Sequence, residues 1–280
     1  MKKVKVKIPA KINLTLDVKG VRGGYHEICS LVTNVGIYDT IILRKRKDDL
    51  ITLKEKGILA RCAKDDNNAV KSAKLFMQTF STTGVDIILK KNIPVGAGLG
   101  GSSADIAGVM IGMKKLFGVS VDVKPLCDQL GSDSGYMSKG GLKVIKGRGE
   151  KIQDVFGECK YYALVITENK TVLAKDCYET FDKLCLQEPS TTDDAVCAIE
   201  NKDEKAFFSA IKNHLYPASK KILPVIEKNL LKISKYADAS LMTGSGSAVV
   251  GLFKKKKDRD FAFKSLYAEY KDRLIKTKTI

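Results

Sequence analysis

Two glycine-rich segments, one at residues 94–103 and one that begins at Thr243, carry hydroxyl side chains in positions where a phosphate could bind. The first covers residues 94–103, where Gly and Ser follow a predicted strand and directly precede a predicted helix. Glycines let the backbone approach a phosphate, and the first turn of a helix offers unpaired N–H groups with partial positive charge. Ser102 and Ser103 add hydroxyl donors. The same pattern would also suit a glycine-rich turn that only begins a helix.

The known nucleotide motifs match this segment poorly. Gly96, Gly98 and Gly101 satisfy GxGxxG, but the following helix does not lead into an apolar strand that ends in an acid. A Walker A sequence and the protein-kinase HRD and DFG sequences are absent from the chain. A nucleotide site here would therefore belong to another class of protein.

Three other segments contain residues that could act with this loop. Lys11 lies between two apolar residues in Pro-Ala-Lys-Ile-Asn-Leu, and Tyr25 with His26 follows a glycine turn. The third is Thr243-Gly244-Ser245, a glycine and hydroxyl loop between two apolar stretches. Taken alone, Lys11 could equally be a surface lysine, and Asp133, between two serines, could equally be a turn residue.

The elements that must position these residues mix strands and helices without regular βαβ alternation, which favours an α+β class. Strands are predicted at residues 3–8, 14–18, 40–44, 50–53, 85–89 and 162–166. Helices are predicted at residues 67–80, with Asp66 as a possible cap, and at 104–117, 123–130 and 261–270. Residues 131–149 are predicted as loop and short strand, and 240–253 as strand–turn–strand. A boundary near residue 155 would divide the chain into domains 1–155 and 156–280.

Composition and charge limit the possible partners. The chain is 44% hydrophobic and 29% charged, as in ordinary globular proteins. The net charge is +17, and 42 of the 49 cationic residues are lysines spread along the whole chain. Nucleic-acid binding favours concentrated arginines and aromatic rings, which no segment supplies. The charge is therefore interpreted as a lysine-rich background, compatible with a phosphate-bearing small-molecule substrate but not evidence for one, and we expect no nucleic-acid or membrane partner.

The cysteines and the apolar runs bear on location. Seven cysteines without a CxxC pair predict reduced thiols rather than a disulfide framework or a metal site, and hence a cytoplasmic protein. No apolar run approaches the roughly 20 residues that span a bilayer. The basic first residues lack the apolar core of a signal peptide.

Together, these motifs resemble the GHMP kinase superfamily, which has a Pro-Ala-Lys segment, a central Gly/Ser loop and a late glycine loop. Within it, Gly-Tyr-His-Glu at 24–27, Leu-Gly-Ser-Asp at 130–133 and Gly-Arg-Gly-Glu at 147–150 are similar to the branch that phosphorylates a cytidine diphosphate-linked polyol. The resemblance implies an α+β fold of two domains with the active site in the cleft between them. It also implies ATP and Mg²⁺ as cofactors and a monomer or homodimer.

The resemblance also implies roles for single residues. Asp133 would be the catalytic base and Lys11 its partner. A carboxylate can accept the proton of an attacking hydroxyl, and an ammonium can neutralise the moving phosphoryl group. ATP would contact Asn67, Lys91, Pro94, Gly96, Gly98, Leu99, Gly100, Gly101, Ser102 and Ser103. The substrate would contact Asn13, Tyr25, His26, Tyr178, Thr243, Gly244 and Ser245, and no residue is predicted as a metal ligand.

The chain departs from the family pattern beside the predicted base. Ser134-Gly135 replaces the usual Val-Pro pair, Ser102 replaces a common glycine, and Ala104 replaces a common serine. Two alternatives stay open: another GHMP kinase acting on mevalonate, phosphomevalonate or homoserine, or an inactive nucleotide-binding paralogue. The Tyr25, His26 and Tyr178 set argues against the first, because a substrate without a base needs no such residues.

Overall fold

The described chain forms two compact units that alternate along the sequence. The computed structural model describes residues 2–58 and 66–280. The first unit comprises residues 2–10, 37–58, 66–95 and 100–140, and the second comprises residues 11–36, 96–99 and 141–280. Strands β1 (Lys3–Asn13) and β3 (Tyr25–Lys45) contribute residues to both units. A boundary near residue 155 is a different division of the chain and stays a prediction.

The first unit contains a mixed sheet and four helices. The end of β3 pairs antiparallel with β5 (Val85–Lys91), and β5 pairs parallel with β4 (Ile51–Gly57). Strand β5 alternates buried residues with more exposed ones, as expected for a sheet with one face on a core. The helices are α1 (Asn68–Phe80), α2 (Gly101–Phe117), α3 (Lys124–Asp128) and α4 (Ser134–Lys139).

Two glycines let helix α2 lie directly against this sheet. A β-carbon on Gly108 would lie 2.3 Å from Cδ1 of Ile41, and one on Gly112 would lie 2.7 Å from Cδ1 of Leu43. Residues four apart lie on the same face of a helix, so both contacts stabilise one packing surface. Each fully buried Ile or Leu contributes about 1.5–3 kcal/mol. This packing fixes the helix whose first turn carries Ser102 and Ser103.

The second unit contains two groups of strands. The first part of β3 pairs antiparallel with β2 (Asp17–Arg22) and with β6 (Lys143–Gly147), which in turn pairs with β7 (Lys151–Asp154). The second group is a four-stranded antiparallel sheet in the order β11, β8, β10, β9. Its strands are β8 (Tyr162–Ile166), β9 (Ala239–Met242), β10 (Val249–Phe253) and β11 (Leu274–Lys278).

Six helices complete this unit, and the last two of them pack against the four-stranded sheet. They are α5 (Ala174–Leu184), α6 (Thr192–Glu200), α7 (Glu204–Ala210), α8 (Tyr216–Ile222), α9 (Val225–Ile233) and α10 (Lys256–Tyr270). A 3₁₀ turn, Lys271–Arg273, leads into β11. Ile166 and Phe253 of the sheet pack in one buried cluster with Leu215, Ile226 and Leu266. This core holds the ends of β9 and β10, between which the late glycine loop lies.

Two local predictions were wrong. Helix α1 is capped by Asn67, whose Oδ1 accepts a 2.9 Å hydrogen bond from the Ala69 N–H, whereas Asp66 forms an ion pair with Lys71. Asn67 is the residue directly before the helix, so its side chain reaches the orphan N–H first. Residues 131–149 contain helix α4 as well as β6, because a single turn between glycines has too few apolar residues to show helical periodicity.

The cysteines and the helices agree with the composition. The six cysteines in the described part of the chain are free thiols, and four of them are buried. The remaining one, Cys62, lies outside the described residues. Within residues 2–58 and 66–280, no helix has the length and apolar character that would let it cross a membrane.

Candidate active site

The end of strand β1 lies against the Gly/Ser loop inside the second unit. The buried Lys11 donates its backbone N–H to the Leu99 carbonyl at 3.0 Å, and its Nζ donates to Asn13 Oδ1 at 2.6 Å. The Asn13 amide in turn donates to Ser30 Oγ at 2.8 Å. Lys11 is thus neither exposed nor a random surface lysine, since its backbone and its ammonium are both held by predicted site residues.

The late glycine loop meets the same two segments. Thr243 Oγ1 accepts the Asn13 backbone N–H at 3.0 Å and donates to the Gly98 carbonyl at 3.2 Å. Gly244 has φ +59°, a conformation that favours glycine, and a β-carbon there would lie 3.2 Å from Cα of Gly98. The three motifs predicted from sequence therefore meet at one point in the second unit.

A buried amide outside the motifs holds the late loop. Asn213 Nδ2 donates to the carbonyls of Met242 and Gly244, each at 2.9 Å, and its Oδ1 accepts from the Leu215 N–H at 2.9 Å. Ser245 Oγ donates to the Val172 carbonyl at 3.2 Å. These bonds satisfy carbonyls that a tight glycine turn leaves unpaired, so they fix the loop conformation.

In the first unit, the start of helix α2 suits an anion. Its N-cap, Gly100, has φ 75° and contributes no side-chain hydrogen bond, and no acidic residue lies in the first turn. The Ser102 side chain is exposed and Ser103 is buried. A helix N-terminus without a competing carboxylate offers its N–H groups and the positive end of its dipole to a phosphate.

Lys91 forms part of a buried charged cluster behind this turn. Its Nζ donates to Asp39 Oδ2, to Asp105 Oδ2 at 2.7 Å and to the Gly101 carbonyl at 3.1 Å. Asp39 Oδ1 also accepts the backbone N–H groups of Asn92 and Ile93, at 2.6 and 2.9 Å. The cluster ties strand β5 to the first residue of α2, so Lys91 positions the loop.

Two carboxylates share this one ammonium, and burial raises the pKa of one of them, Asp105. The pKa of Asp105 is raised to about 7, because burial disfavours its charged form more than the Lys91 ammonium favours it. Asp105 Oδ1 is buried and has no hydrogen bond from the described residues, which fits a carboxyl that is neutral below that pH. Asp39 differs from Asp105 in its backbone partners, since its Oδ1 accepts two backbone N–H groups.

The predicted base lies at the start of helix α4. Asp133 is half-buried and occupies the N-cap position, and its carbonyl accepts the Met137 N–H at 2.9 Å. The space beside it explains the departure from the family pattern. A β-carbon on Gly135 would lie 1.9 Å from Oδ1 of Asp128, whose other oxygen accepts from Lys124 at 2.6 Å. A proline at this position would need Asp128 to move.

Asn67 serves the local structure in two ways. It caps helix α1, and its Nδ2 donates to Glu55 Oε1 at 3.1 Å. Like Lys91, it is buried and held by neighbouring groups. The assignment of both residues to the adenine of ATP stays a prediction.

The predicted base-recognition residues lie together in the second unit. The exposed Tyr25 ring lies under the Arg148 guanidinium, 3.7 Å from the ring centroid. The His26 ring stacks on Tyr178 with centroids 4.5 Å apart and planes at 18°. His26 Nε2 donates to Asp182 Oδ1 at 2.8 Å. The ring of Tyr25 therefore contacts a cation, and that of Tyr178 contacts the imidazole.

Five residues that contact the predicted site residues were not named from the sequence: Asp39, Asp105, Arg148, Asp182 and Asn213. Of these, Arg148 lay inside a motif that was noted without a role. Asp182 follows Tyr178 by four positions, the spacing of residues on one helix face, and that spacing could have indicated it. The others had no local signal, since their partners are distant in sequence.

Comparison with known proteins identifies the class. Residues 67–143 match the model for the GHMP kinases N terminal domain, and residues 195–272 match that for GHMP kinases C terminal. The crystal structure of homoserine kinase from Cytophaga hutchinsonii shares this fold, with a TM-score of 0.78 and 17% identity over 100% of this chain and 95% of that one. The fold is therefore that of a GHMP kinase, with mixed α+β architecture.

Two further relatives narrow the family. The 4-diphosphocytidyl-2-C-methyl-D-erythritol kinase of Macrococcus caseolyticus is 34% identical over 259 residues, which cover 89% of this chain and 90% of the relative. The crystal structure of a 4-(cytidine 5'-diphospho)-2C-methyl-D-erythritol kinase superposes with a TM-score of 0.83 and 25% identity over 99% of both chains. The chain belongs to the family of 4-diphosphocytidyl-2-C-methyl-D-erythritol kinases.

Proposed function

We propose that the protein transfers the γ-phosphoryl group of ATP to the 2-hydroxyl of 4-diphosphocytidyl-2-C-methyl-D-erythritol, a step in non-mevalonate isoprenoid precursor synthesis. The observation that supports this most directly is the meeting of three motifs in the second unit. The Lys11 N–H donates to Leu99, and the Asn13 N–H donates to Thr243. A protein that had only kept a glycine turn would have no need to hold these segments together.

In the proposed reaction, Asp133 accepts the proton of the 2-hydroxyl as its oxygen bonds to the γ-phosphorus. The bond between that phosphorus and the bridging oxygen breaks, and ADP leaves with its electron pair. Lys11 neutralises charge on the moving phosphoryl group. Phosphoryl transfer needs positioning and charge stabilisation more than covalent help, which suits these few groups.

ATP fits the start of helix α2. Gly100 leaves the first turn open, the turn holds no acid, and Ser102 and Ser103 supply hydroxyl donors. The residues proposed for ATP are those predicted from sequence: Asn67, Lys91, Pro94, Gly96, Gly98, Leu99, Gly100, Gly101, Ser102 and Ser103. When bound, ATP supplies the phosphoryl group and ADP as a good leaving group.

Mg²⁺ is proposed to enter on the ATP phosphates and to keep its water ligands. The described residues contain no group of three or more His, Cys, Asp or Glu side chains that could hold a metal ion.

The cytidine end of the substrate is proposed to contact Tyr25, His26 and Tyr178, and the polyol to contact Asn13, Thr243, Gly244 and Ser245. Stacking of a base on an aromatic ring contributes roughly 1–3 kcal/mol. In the structure, His26 stacks on Tyr178. The two rings therefore lie side by side, where both could contact the base.

We further propose a cytoplasmic enzyme that acts as a monomer or homodimer on this small molecule, without a nucleic-acid or membrane partner. The free thiols of the described cysteines and the dispersed lysines support this setting.

The test is Mg²⁺-dependent ADP release with 4-diphosphocytidyl-2-C-methyl-D-erythritol, with mevalonate, phosphomevalonate and homoserine in parallel. The Asp133→Asn variant should lose turnover and keep ATP binding. Asp122→Asn is the matched control, because it removes the same charge from an exposed site in the same unit. Turnover with the cytidine substrate alone is the expected result. ATP binding without turnover of any substrate would instead indicate an inactive paralogue.

A further inference from the structure

One face of helix α5 holds the imidazole of His26 from two directions. Tyr178 and Asp182 lie four residues apart and so share a helix face. Tyr178 stacks on the imidazole plane at 4.5 Å, and Asp182 Oδ1 lies 2.8 Å from Nε2. The stacking fixes the tilt of the ring, and the hydrogen bond fixes its rotation. The His26 side chain is 15% exposed, so its ring is largely enclosed.

The Asp182 contact also fixes which nitrogen carries the proton. An ionised carboxylate can only accept hydrogen bonds, so Nε2 must be the donor in this pair. In a neutral imidazole, Nδ1 is then an acceptor. A ring without this partner could exchange between its two tautomers and present either a donor or an acceptor at Nδ1.

A donor and an acceptor at Nδ1 would favour different pyrimidine bases. Cytosine carries an exocyclic amino group that donates, whereas the corresponding oxygen of a uracil ring accepts. We infer that Asp182 is a positioning residue that holds His26 as an acceptor at Nδ1, so that the enzyme selects cytosine over uracil. The inference rests on the proposed function, which assigns His26 to the base.

A purely structural role explains Asp182 less well. Its side chain is 53% exposed, and a partly exposed ion pair or hydrogen bond contributes little to stability. It also lies in the last turn of α5, which ends at Leu184, and a carboxylate there is opposed by the helix dipole. Asp182 therefore adds little to stability and lies at an unfavourable position on the helix. Orientation of the His26 imidazole explains its presence better.

The experiment compares the wild type with Asp182→Asn. An asparagine has the same shape, but it can accept from Nε2 or donate to it, so it permits both tautomers. The matched control is Glu179→Gln, which removes the same charge three residues earlier on α5. Glu179 is 56% exposed, and its carboxylate lies 3.9 Å from Lys175. Two measurements are made: the ¹⁵N spectrum of the imidazoles, and calorimetric binding of CDP and UDP.

The spectrum is simple because the chain has only two histidines, His26 and His214, and a His26→Gln variant assigns them. We expect the wild type and Glu179→Gln to show His26 protonated at Nε2, and Asp182→Asn to show a mixture. We expect the preference for CDP over UDP to fall about three- to tenfold in Asp182→Asn, which is the change in affinity that the loss of one hydrogen bond produces. Unfolding curves should match within error, which separates positioning from stability.

The outcomes separate this inference from the proposed function. A wild-type His26 protonated at Nδ1, or an unchanged CDP preference in Asp182→Asn, overturns the inference, whatever the kinase assay shows. Selective CDP binding that weakens in Asp182→Asn supports it even if no ADP is released, and in that case only the proposed reaction fails.

Discussion

Gly98 and Thr243 approach each other so closely that a β-carbon on Gly98 would lie 2.1 Å from the Thr243 carbonyl oxygen. Gly98 also has φ +76°, a conformation that side chains rarely adopt. The Gly/Ser loop and the late loop therefore pack backbone against backbone. Only glycine at position 98 permits this packing, which is a reason for that residue independent of any phosphate contact.

Substitution of this glycine should disrupt the loop. Gly98→Ala combines a left-handed strain of about 1–2 kcal/mol with a backbone clash that must move one of the two loops. We expect the free energy of unfolding to fall by about 2–4 kcal/mol and kcat/KM for ADP release to fall more than tenfold. Urea unfolding and steady-state kinetics measure both.

Gly118→Ala is the control for the strain alone. Gly118 has φ +72° at the end of α2, and nothing lies within 4 Å of the place where its β-carbon would stand. It should lose about 1 kcal/mol of stability and keep full activity. Equal losses in the two variants would mean that the clash with Thr243 is unimportant.

The Thr243 hydroxyl is expected to matter through two backbone groups. It accepts the Asn13 N–H and donates to the Gly98 carbonyl. Thr243→Val keeps the shape but leaves both groups without this partner, which should cost about 1–3 kcal/mol and reduce kcat. Thr243→Ser keeps the hydroxyl and should retain most of both. If valine and serine behave alike, the hydroxyl is dispensable.

Burial of Asp105 predicts a pH dependence of stability. Its pKa is raised to about 7 from an ordinary value of 3.8, so the folded protein holds a proton that the unfolded chain loses between these values. The free energy of unfolding therefore includes a contribution that is complete below about pH 4 and is lost as the pH rises to about 7. Its size is on the order of 1 kcal/mol per pH unit.

Asp105→Asn should remove this contribution, since an amide does not titrate but can still accept from Lys91 Nζ. The measurement is urea unfolding of both proteins across the interval from about pH 4 to pH 8. The difference in stability between variant and wild type should shift in favour of the variant as the pH rises. A difference that is constant with pH would contradict the raised pKa.

The sequence predicted the parts of the site whose signal is local. Residues 94–103 could be recognised because glycine and serine precede a helix. Helix α1 could be recognised by apolar residues at helical spacing, α2 by its long and mostly apolar stretch, and β5 by a short apolar run after Gly84. The Lys11 segment was singled out because a lysine lies between two apolar residues. The Thr243 segment was singled out because glycine and hydroxyl residues lie between two apolar stretches. Helix α4 was missed, since its six residues cover less than two turns.

What could not be predicted depends on pairing across the sequence. Lys91 was assigned to the nucleotide, but its ammonium is held by Asp39, 52 positions earlier, and by Asp105. His26 finds Asp182 at a separation of 156 positions. Asp39 and Asp105 do not differ in their local sequence from ordinary surface acids, and the spacing of Asp182 from Tyr178 indicates a shared helix face but not the imidazole that lies against it. Only the fold shows that these carboxylates orient the two cationic or polar groups that the motifs contain.

Asn213 provides a last prediction, because both amide hydrogens that it offers go to the late loop. Its Nδ2 donates to the carbonyls of Met242 and Gly244, and its Oδ1 accepts the Leu215 N–H. Asn213→Asp keeps the acceptor but places a carboxylate oxygen against two carbonyl oxygens in a buried site. We expect a loss of about 2–4 kcal/mol and a large fall in kcat/KM, measured by urea unfolding and ADP release.

Asn201→Asp is the control for Asn213→Asp. It makes the same change from amide to carboxylate, but at an exposed position, so it shows how much of the loss is due to burial. Asn201 also donates from Nδ2 to a backbone carbonyl, that of Cys197, but at an exposed helix end. There water can solvate both the new carboxylate and the freed carbonyl, so the cost should stay within about 1 kcal/mol and activity should be unchanged. If Asn213→Asp were as mild as this control, the late loop would have to keep its conformation without Asn213. Its hydrogen bonds to Asn13 and Gly98 would then be sufficient to hold it.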